Sequence, residues 1–441
     1  MNMPDKNFYI LTGGTHIHVA PHFSLSAPAF GDVGKTLAPL LRMAFFDDGQ
    51  IDPVVHLVQT RMALGGSERS TQSQELVRAA GLTDLVTNSD VAQFVKYLTT
   101  LEDTRGIVMA AALTDFEPES IEVHGGKIGF GFGKDQPRLS SKDWHTLILR
   151  PTPKIVPTIR KERKDIFVAA FKTTTGADRE GMFLKGLNLL KGSSVNLVLV
   201  NDLTTRQNMV LTPEEAIYHA TTDRVEALRG LAEMIAMRSK GTFTRSELVP
   251  GDAIRWGSPS IPASLRAVVD YCISRGAYKP FKGVTVGHFA TRGESDGEIF
   301  TSRRRSNFNE LRSTGLIRVT ATGDDTVLAF GGKPSVGGQS QRAIFRDHPD
   351  VDCIVHFHCP LKTGSKIPVR SQRPYECGSH ECGHNTSIGL ERFGNLKAVM
   401  LDNHGPNIVF PKNIDPAIVI DFIESNVELT ASTNGVLKAE R

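Results

Sequence analysis

The sequence predicts an α/β protein of two domains, the first a doubly wound parallel sheet. Three observations carry this. Residues 1–240 alternate strand-like apolar runs with helix-like amphipathic stretches, the pattern of a parallel sheet with crossover helices. The chain has 441 residues, too long for one ordinary domain and ample for two. A cluster of glycines and prolines then interrupts the pattern around 241–262. The expected division is 1–240, a linker at 241–262, and a second α/β domain over 263–441.

In the first half the strands read as Phe8–Leu11, Gly106–Ala111, Ile166–Phe171 and Val195–Val200. Each is a short run rich in apolar residues, as buried parallel strands are. Helical spacing marks Val91–Leu101, Asp178–Leu190 and Thr212–Arg238. Thr212-Pro213-Glu214-Glu215 reads as the start of the last helix: an N-cap, a proline in the first turn and acids near the positive helix end. Gly241, Pro250, Gly251, Gly257, Pro259 and Pro262 make up the expected linker. In the second half, Cys353-Ile354-Val355 and Ala398–Leu401 read as buried strands.

Composition excludes several classes. Hydrophobic residues make up 40% and charged residues 22%, so the chain is folded and globular. A net charge of +3 is too small to imply nucleic acid or a membrane surface. No apolar run approaches the length of a membrane span. Five cysteines, an odd number, argue against a disulfide framework and for a reducing compartment. The N-terminus shows neither a basic region nor an apolar leader. The expectation is a cytoplasmic protein with no nucleic-acid partner.

Four motifs carry chemistry. His356-Phe357-His358 continues the strand at Cys353. Side chains alternate along a strand, so the two imidazoles share a face. His404, after the strand Ala398–Leu401, can supply a third. Three histidines with one open position are the ligand set of a catalytic divalent metal site; the plain alternative is core histidines bonded to backbone. The loop Tyr375–His384 holds Glu376, Glu381, two cysteines and two histidines. It offers a supplementary ligand or an acid/base, or is merely a polar turn. Arg303, Arg304 and Arg305 suit an anionic substrate group through bidentate contacts, or form a solvated run. Finally, Ile10-Leu11 runs into Thr12-Gly13-Gly14-Thr15, read as a Gly-rich turn that can approach a phosphate. His16, His18 and His22 follow it, as ligands, proton donors or loop side chains.

The second half resembles the class II aldolase/adducin family. Gly287-His288-Phe289-Ala290-Thr291-Arg292, Phe300-Thr301-Ser302, Lys333-Pro334-Ser335, Arg346–Val351, the H-x-H and His404-Gly405 occur in the family's order. The resemblance implies an α/β/α fold in which His356, His358 and His404 hold zinc, with manganese or iron as alternatives. It implies C–C cleavage or condensation through a metal-stabilised enolate. It places the substrate phosphate near Arg303–Arg305 and Ser335, and implies a homo-oligomer. Two departures stand out. The family's Glu after P-S is absent from Ser335-Val336-Gly337-Gly338-Gln339, and its loop Asn is His288. Glu376 or Glu381 is the expected replacement, with Tyr375 matching a family tyrosine.

The first half resembles phosphopantothenoylcysteine synthetase. Met109–Phe116, Thr152–Val156, Val168–Lys172, Lys185, Lys191 and Val200-Asn201-Asp202 carry the likeness. It implies a Rossmann-like sheet, a nucleotide (CTP or ATP) and often a dimer. Gly13, Gly14 and Thr15 match the phosphate turn and Asp115 the Asp near the nucleotide. Phe171 and Lys185 match the strand and helix lining base and triphosphate, and Asn201 the N-D ending. The family's S-N-x-S-S-G loop is replaced by Leu25–Gly34, without its Asn, and the K-I-K segment survives only as Lys127-Ile128-Gly129.

The resulting expectation is a bifunctional fusion. A nucleotide-dependent, synthetase-like half is joined to a metal-dependent, aldolase-like lyase half acting on a small anionic, phosphorylated substrate. The alternative is a pair of non-catalytic binding or oligomerisation modules, since adducin-type relatives keep the fold without the metal.

Overall fold

The computed structural model describes residues 6–51, 53–123, 126–128, 132–142, 144–323, 325–335 and 338–439. Gly129, Val336 and Gly337, named above in two of the motifs, lie outside them. The chain divides into two compact units. The first comprises residues 1–211 and 218–239; the second comprises 212–217 and 240–441.

The first unit runs β1 (Lys6–Ala20), β2 (Phe23–Ala27), α1 (Asp32–Asp47), β3 (Pro53–Gln59), α2 (Asn88–Thr100), β4 (Thr104–Ala112), α3 (Val156–Glu162), β5 (Phe167–Thr174), α4 (Arg179–Ser193), β6 (Leu197–Asp202), β7 (Asn208–Leu211), β8 (Ile217–Thr221) and α5 (Arg224–Arg238). Strands β3, β1, β4, β5 and β6 pair in parallel in that order. Counted along the chain this is 2-1-3-4-5, a doubly wound sheet whose switch point lies between β1 and β4. Helices α1 and α5 pack together, while α2, α3 and α4 pack in series. The sheet is buried from both sides, which is why Ile107, Val168, Leu197 and Val198 are all fully buried. Local signals start the helices. Thr87 and Asp90 form a capping box before α2. Asp178 and Asp223 cap α4 and α5.

Two expectations change here. Gly13-Gly14-Thr15 is not a turn, because β1 continues through it to Ala20 and pairs with β2 beyond Thr15. The glycines serve close packing. A Cβ on Gly13 would sit 2.2 Å from Thr60 Oγ1, and one on Gly14 2.3 Å from the Ala27 carbonyl oxygen. The predicted helix over 212–238 is also shorter. It begins at Arg224, because Asp223 accepts from the amides of Val225 and Glu226 and the apolar Met209-Val210-Leu211 pairs with β6 instead. Thr212–Ala216 is the tight turn between β7 and β8, closed by Thr212 N–H to Ala216 O (3.3 Å) and Glu215 N–H to Thr212 O (3.0 Å).

The second unit runs β9 (Arg245–Val249), α6 (Ala263–Ser274), β10 (His288–Arg292), β11 (Glu298–Ser302), β12 (Leu316–Ala321), β13 (Thr326–Phe330), α7 (Gly338–Asp347), β14 (Cys353–His356), β15 (Val369–Arg370), α8 (His380–Gly389), β16 (Glu391–Phe393), β17 (Leu396–Leu401), β18 (Gly405–Phe410) and α9 (Pro416–Asn426). Its mixed sheet has the order β9-β13-β12-β11-β10-β14-β18-β17-β15, with β16 on β17. The stretch 241–262 is therefore not a linker. Its β9 pairs in parallel with β13, and Trp256 and Ile261 join the core. Glycine and proline there shape turns within a packed unit rather than a spacer.

Neighbouring residues of each central strand enter opposite cores. Phe289, Val355 and Ile408 pack with Leu265, Val268 and Ile423 of α6 and α9. Ala290, Ile354 and Val409 pack with Ile344 and Phe345 of α7. The result is a sheet between two helical layers, the α/β/α arrangement expected. Alternation then places His356, in phase with Ile354, on the α7 side.

Candidate metal centre

The histidine cluster is assembled by strand register and one hairpin. His288 on β10 lies opposite His356 on β14, with ring centroids 4.7 Å apart. His358 follows two residues on, with its ring 5.0 Å from that of His356. His404 sits in the turn between β17 and β18. Asn403, with φ +55°, makes the bend, and Gly405 lets the turn settle onto the 357–358 backbone. A Cβ at Gly405 would lie 2.1 Å from the Phe357 carbonyl oxygen.

His356, His358 and His404 each offer one nitrogen, and these atoms all lie within 4.8 Å of one another. His356 Nε2 and His404 Nε2 are 3.1 Å apart. Two nitrogens on one tetrahedral zinc, at about 2.0–2.1 Å each, would stand about 3.3 Å apart, so the pair already has the spacing a shared ion needs. His356 Nδ1 is 2.9 Å from the Pro406 carbonyl oxygen. That contact fixes the ring and leaves Nε2 as the lone-pair donor. All three side chains are buried. Burial first, and then the neighbouring His404, His288 and His358, hold the His356 pKa well below its usual range. Burial and His358 push that of His288 down to about 3. Imidazole nitrogens converging this closely suit a cation at their centre, so the donor set fits a divalent metal.

Two further groups shape the site. Gln341 of α7, fully buried, places Nε2 2.9 Å from His288 Nδ1. Glu215, 1% exposed, places Oε2 2.6 Å from His358 Nδ1. Neither was foreseen. The family pattern marked His288 as a departure, but nothing in the sequence links Gln341 to it. Glu215 was read as a helix-start acid.

The expected replacement carboxylates go elsewhere. Glu381 accepts from the amide and hydroxyl of Thr242, at 3.1 and 3.0 Å. Tyr375 and Glu381 line a cavity of about 400 Å³ with His380, His384, Asn385 and Ile388, and none of the three clustered histidines is among these lining residues. Glu376 is buried, with its carbonyl bonded to the Ser379 amide at the start of α8. Among the described residues, neither glutamate joins the histidine group.

The anion candidates do come together. Arg303, Arg304 and Arg305 are exposed just beyond β11. Arg303 bridges to Pro334, Arg304 N–H donates to Lys333 O (2.9 Å), and Ser335 N–H donates to Ser302 O (2.9 Å). The arginine run and the Lys333-Pro334-Ser335 segment are therefore neighbours.

In the first unit, Thr15 is buried and its hydroxyl lies 2.7 Å from Asn88 Oδ1 and 3.1 Å from Ala112 O, with one proton to donate between them. Gly14 N–H is bonded to Ala29 O (2.7 Å). Asp115, exposed past β4, pairs with Lys154 at 2.6 Å. Phe171 lies under the Arg224 guanidinium, 5.6 Å from the ring centroid, and Asn201 accepts from the Thr173 hydroxyl at 3.3 Å. Lys185 projects from α4 and is exposed. His16 and His18 have ring centroids 4.8 Å apart.

Residues 267–419 match the family described as Class II Aldolase and Adducin N-terminal domain. No curated protein matches the chain in sequence. Among solved structures, the DNA/pantothenate metabolism flavoprotein from Streptococcus pneumoniae is similar at 16% identity. That match covers 51% of this chain and 94% of that one, with a TM-score of 0.36. The C-terminal domain of the coenzyme A biosynthesis bifunctional protein CoaBC is similar at 14% identity, covering 53% and 96%, with a TM-score of 0.38. An L-fuculose 1-phosphate aldolase is similar at 18% identity, covering 38% and 83%, with a TM-score of 0.29.

Proposed function

We propose that the second unit is a divalent-metal-dependent lyase of the aldolase type, acting on a small anionic, phosphorylated substrate. The observation that carries this reading is the buried group of His356, His358 and His404, within a segment that matches the class II aldolase and adducin family. A bound zinc, manganese or iron would supply Lewis-acid polarisation of a substrate oxygen, which eases charge build-up as a neighbouring C–C bond breaks or forms. The chain's own residues do the rest. Pro406 O holds His356 in the ligand tautomer. Gln341 fixes His288, a neutral imidazole beside the cluster able to hydrogen-bond a substrate oxygen. Arg303, Arg304, Arg305 and Ser335 offer charge-assisted contacts to the substrate anion. Burial excludes water from the histidines and strengthens each polar contact.

For the first unit we propose nucleotide binding, of CTP or ATP, at the switch point of the sheet, where the parallel pairing of β1 with β4 ends at Gly14 and Ala112 and Thr15 and Asp115 follow in sequence. The second class of reading, a non-catalytic binding module, has less support in the second unit. An idle module has no need of three converging buried imidazoles.

The test is metal content after purification. Wild type should carry about one equivalent of divalent metal per chain, and the His356→Ala/His358→Ala protein none. An equally stable double variant, with no metal in either protein, would make the histidines structural and sink the lyase reading.

A further inference from the structure

We infer that Glu215 is the carboxylate partner of the histidine centre: it positions His358 through Nδ1 and so sets the metal affinity of the site. The inference rests on the reading of the histidines as a metal centre and concerns a residue outside the segment that matches the aldolase family.

Four observations support it. First, Glu215 belongs to the second unit although the sequence around it belongs to the first; the six residues 212–217 are the exception. Second, its side chain is 1% exposed, and Oε2 is 2.6 Å from His358 Nδ1. A carboxylate is seldom buried without a cation, a metal or a donor to compensate it. Third, Glu215 stands outside the group of mutually close ligand atoms, which contains only the three histidines among the described residues. That places it behind His358 rather than among the ligands. The pair is a close ion contact whose two atoms complete no hydrogen bond among the described residues; a carboxylate beside one ring nitrogen favours a proton there, which leaves the other nitrogen as donor. Pro406 O is bonded to His356 Nδ1, so two of the three rings have an acceptor oxygen close behind them. Fourth, Glu215 has φ +59°, a left-handed conformation that Gly or Asn adopts far more cheaply. A glutamate kept there at a cost of roughly 1–3 kcal/mol is kept for its side chain.

Glu215 stands behind a ligand and so does not take the place of the glutamate missing after Pro334-Ser335. Its carboxylate comes from the turn between β7 and β8, remote in sequence from every other part of the centre.

Two substitutions test it in the full-length protein. Glu215→Gln keeps size and removes charge. Glu215→Asn removes the carboxylate and suits the left-handed backbone. Zinc affinity is measured by chelator competition, cobalt(II) absorption reports the ligand geometry, and melting is followed on the metal-free protein. The expected result is that both variants bind zinc about 10–100-fold more weakly than wild type. The metal-free Glu215→Asn protein should melt no lower than wild type, because strain is relieved. Affinity and stability then move in opposite directions, which a merely structural role would not produce. The cobalt bands should keep their shape, since the ligands are unchanged.

Zinc binding by either folded variant as tight as wild type overturns the inference. So does a change of cobalt bands to a lower coordination number, which would make Glu215 a ligand. Absence of metal from wild type itself would be the separate failure of the metal-centre reading, and the inference would fall with it.

Discussion

Gly405→Ala should disable the metal centre without touching a ligand. The added Cβ would lie 2.1 Å from the Phe357 carbonyl oxygen and 3.2 Å from His358 Cα. A relaxed carbon–oxygen contact needs about 3.3 Å, so the turn must withdraw by about 1 Å. Both clashing groups are backbone, and no rotamer change relieves them. His404 precedes Gly405 and withdraws with it. Its Nε2 now lies 3.1 Å from His356 Nε2. Two nitrogens bound at about 2.0–2.1 Å can be at most about 4.1 Å apart, and then only on opposite sides of the ion. A retreat of about 1 Å takes the pair to that limit and out of tetrahedral reach. The overpacking cost is about 2–3 kcal/mol. At about 2–4 °C per kcal/mol for a unit of this size, the metal-free melting point should drop by about 5–10 °C. Zinc should add little stabilisation, because stabilisation by a ligand follows its affinity for the native state. Differential scanning calorimetry of both proteins, metal-free and at saturating zinc, reads both effects. A variant that melts within about 2 °C of wild type and keeps the full zinc-induced rise would refute the claim that this turn holds His404 in place.

Acid sensitivity should include a contribution from Asp350. Its hydrogen bond to Lys397 and then that to Arg392 hold its pKa down to about 2. A depressed carboxylate stabilises above its unfolded pKa and loses that effect as pH falls through the folded value, so the loss should fall between about pH 4 and pH 2. The side chain is 41% exposed, and solvent screening reduces the effect to roughly 1 kcal/mol or less. Asp350→Asn should unfold with a shallower acid transition in this window; an unchanged acid titration of stability would count against the pairing. In the first unit, CTP or ATP should raise the melting temperature, and Asp115→Ala should reduce that rise. Equilibrium dialysis that detects neither nucleotide would remove the nucleotide-binding proposal.

The sequence by itself determined what local periodicity and spacing encode. Alternating apolar runs and amphipathic stretches specify a parallel α/β unit, because each element must bury one face or both. The H-x-H at 356–358 specifies two imidazoles on one side of the chain, because extended side chains alternate; the strand itself ends at His356, and the two rings still lie 5.0 Å apart. The ordered segments from Gly287 to His404 identified the second fold in advance of the family match over 267–419.

Only the tertiary structure decided four other matters. Gly13 and Gly14 look like a phosphate turn but are strand residues. Their role comes from Thr60 and from Ala27, whose approach no neighbour in sequence reveals. The glycines and prolines of 241–262 look like a spacer, but Arg245–Val249 finds a partner in Thr326–Phe330, a pairing set by packing across a sheet. Thr212-Pro213-Glu214-Glu215 satisfies the local rules for a helix start, yet strand pairing on one side and the Asp223 cap on the other convert it to a turn. Local propensity is worth tenths of a kcal/mol to about one per residue, and tertiary contacts routinely outweigh it. Glu215 and His358 are separated by most of a domain in sequence and by 2.6 Å in space, so the carboxylate of the histidine centre could be found only where the chain had folded.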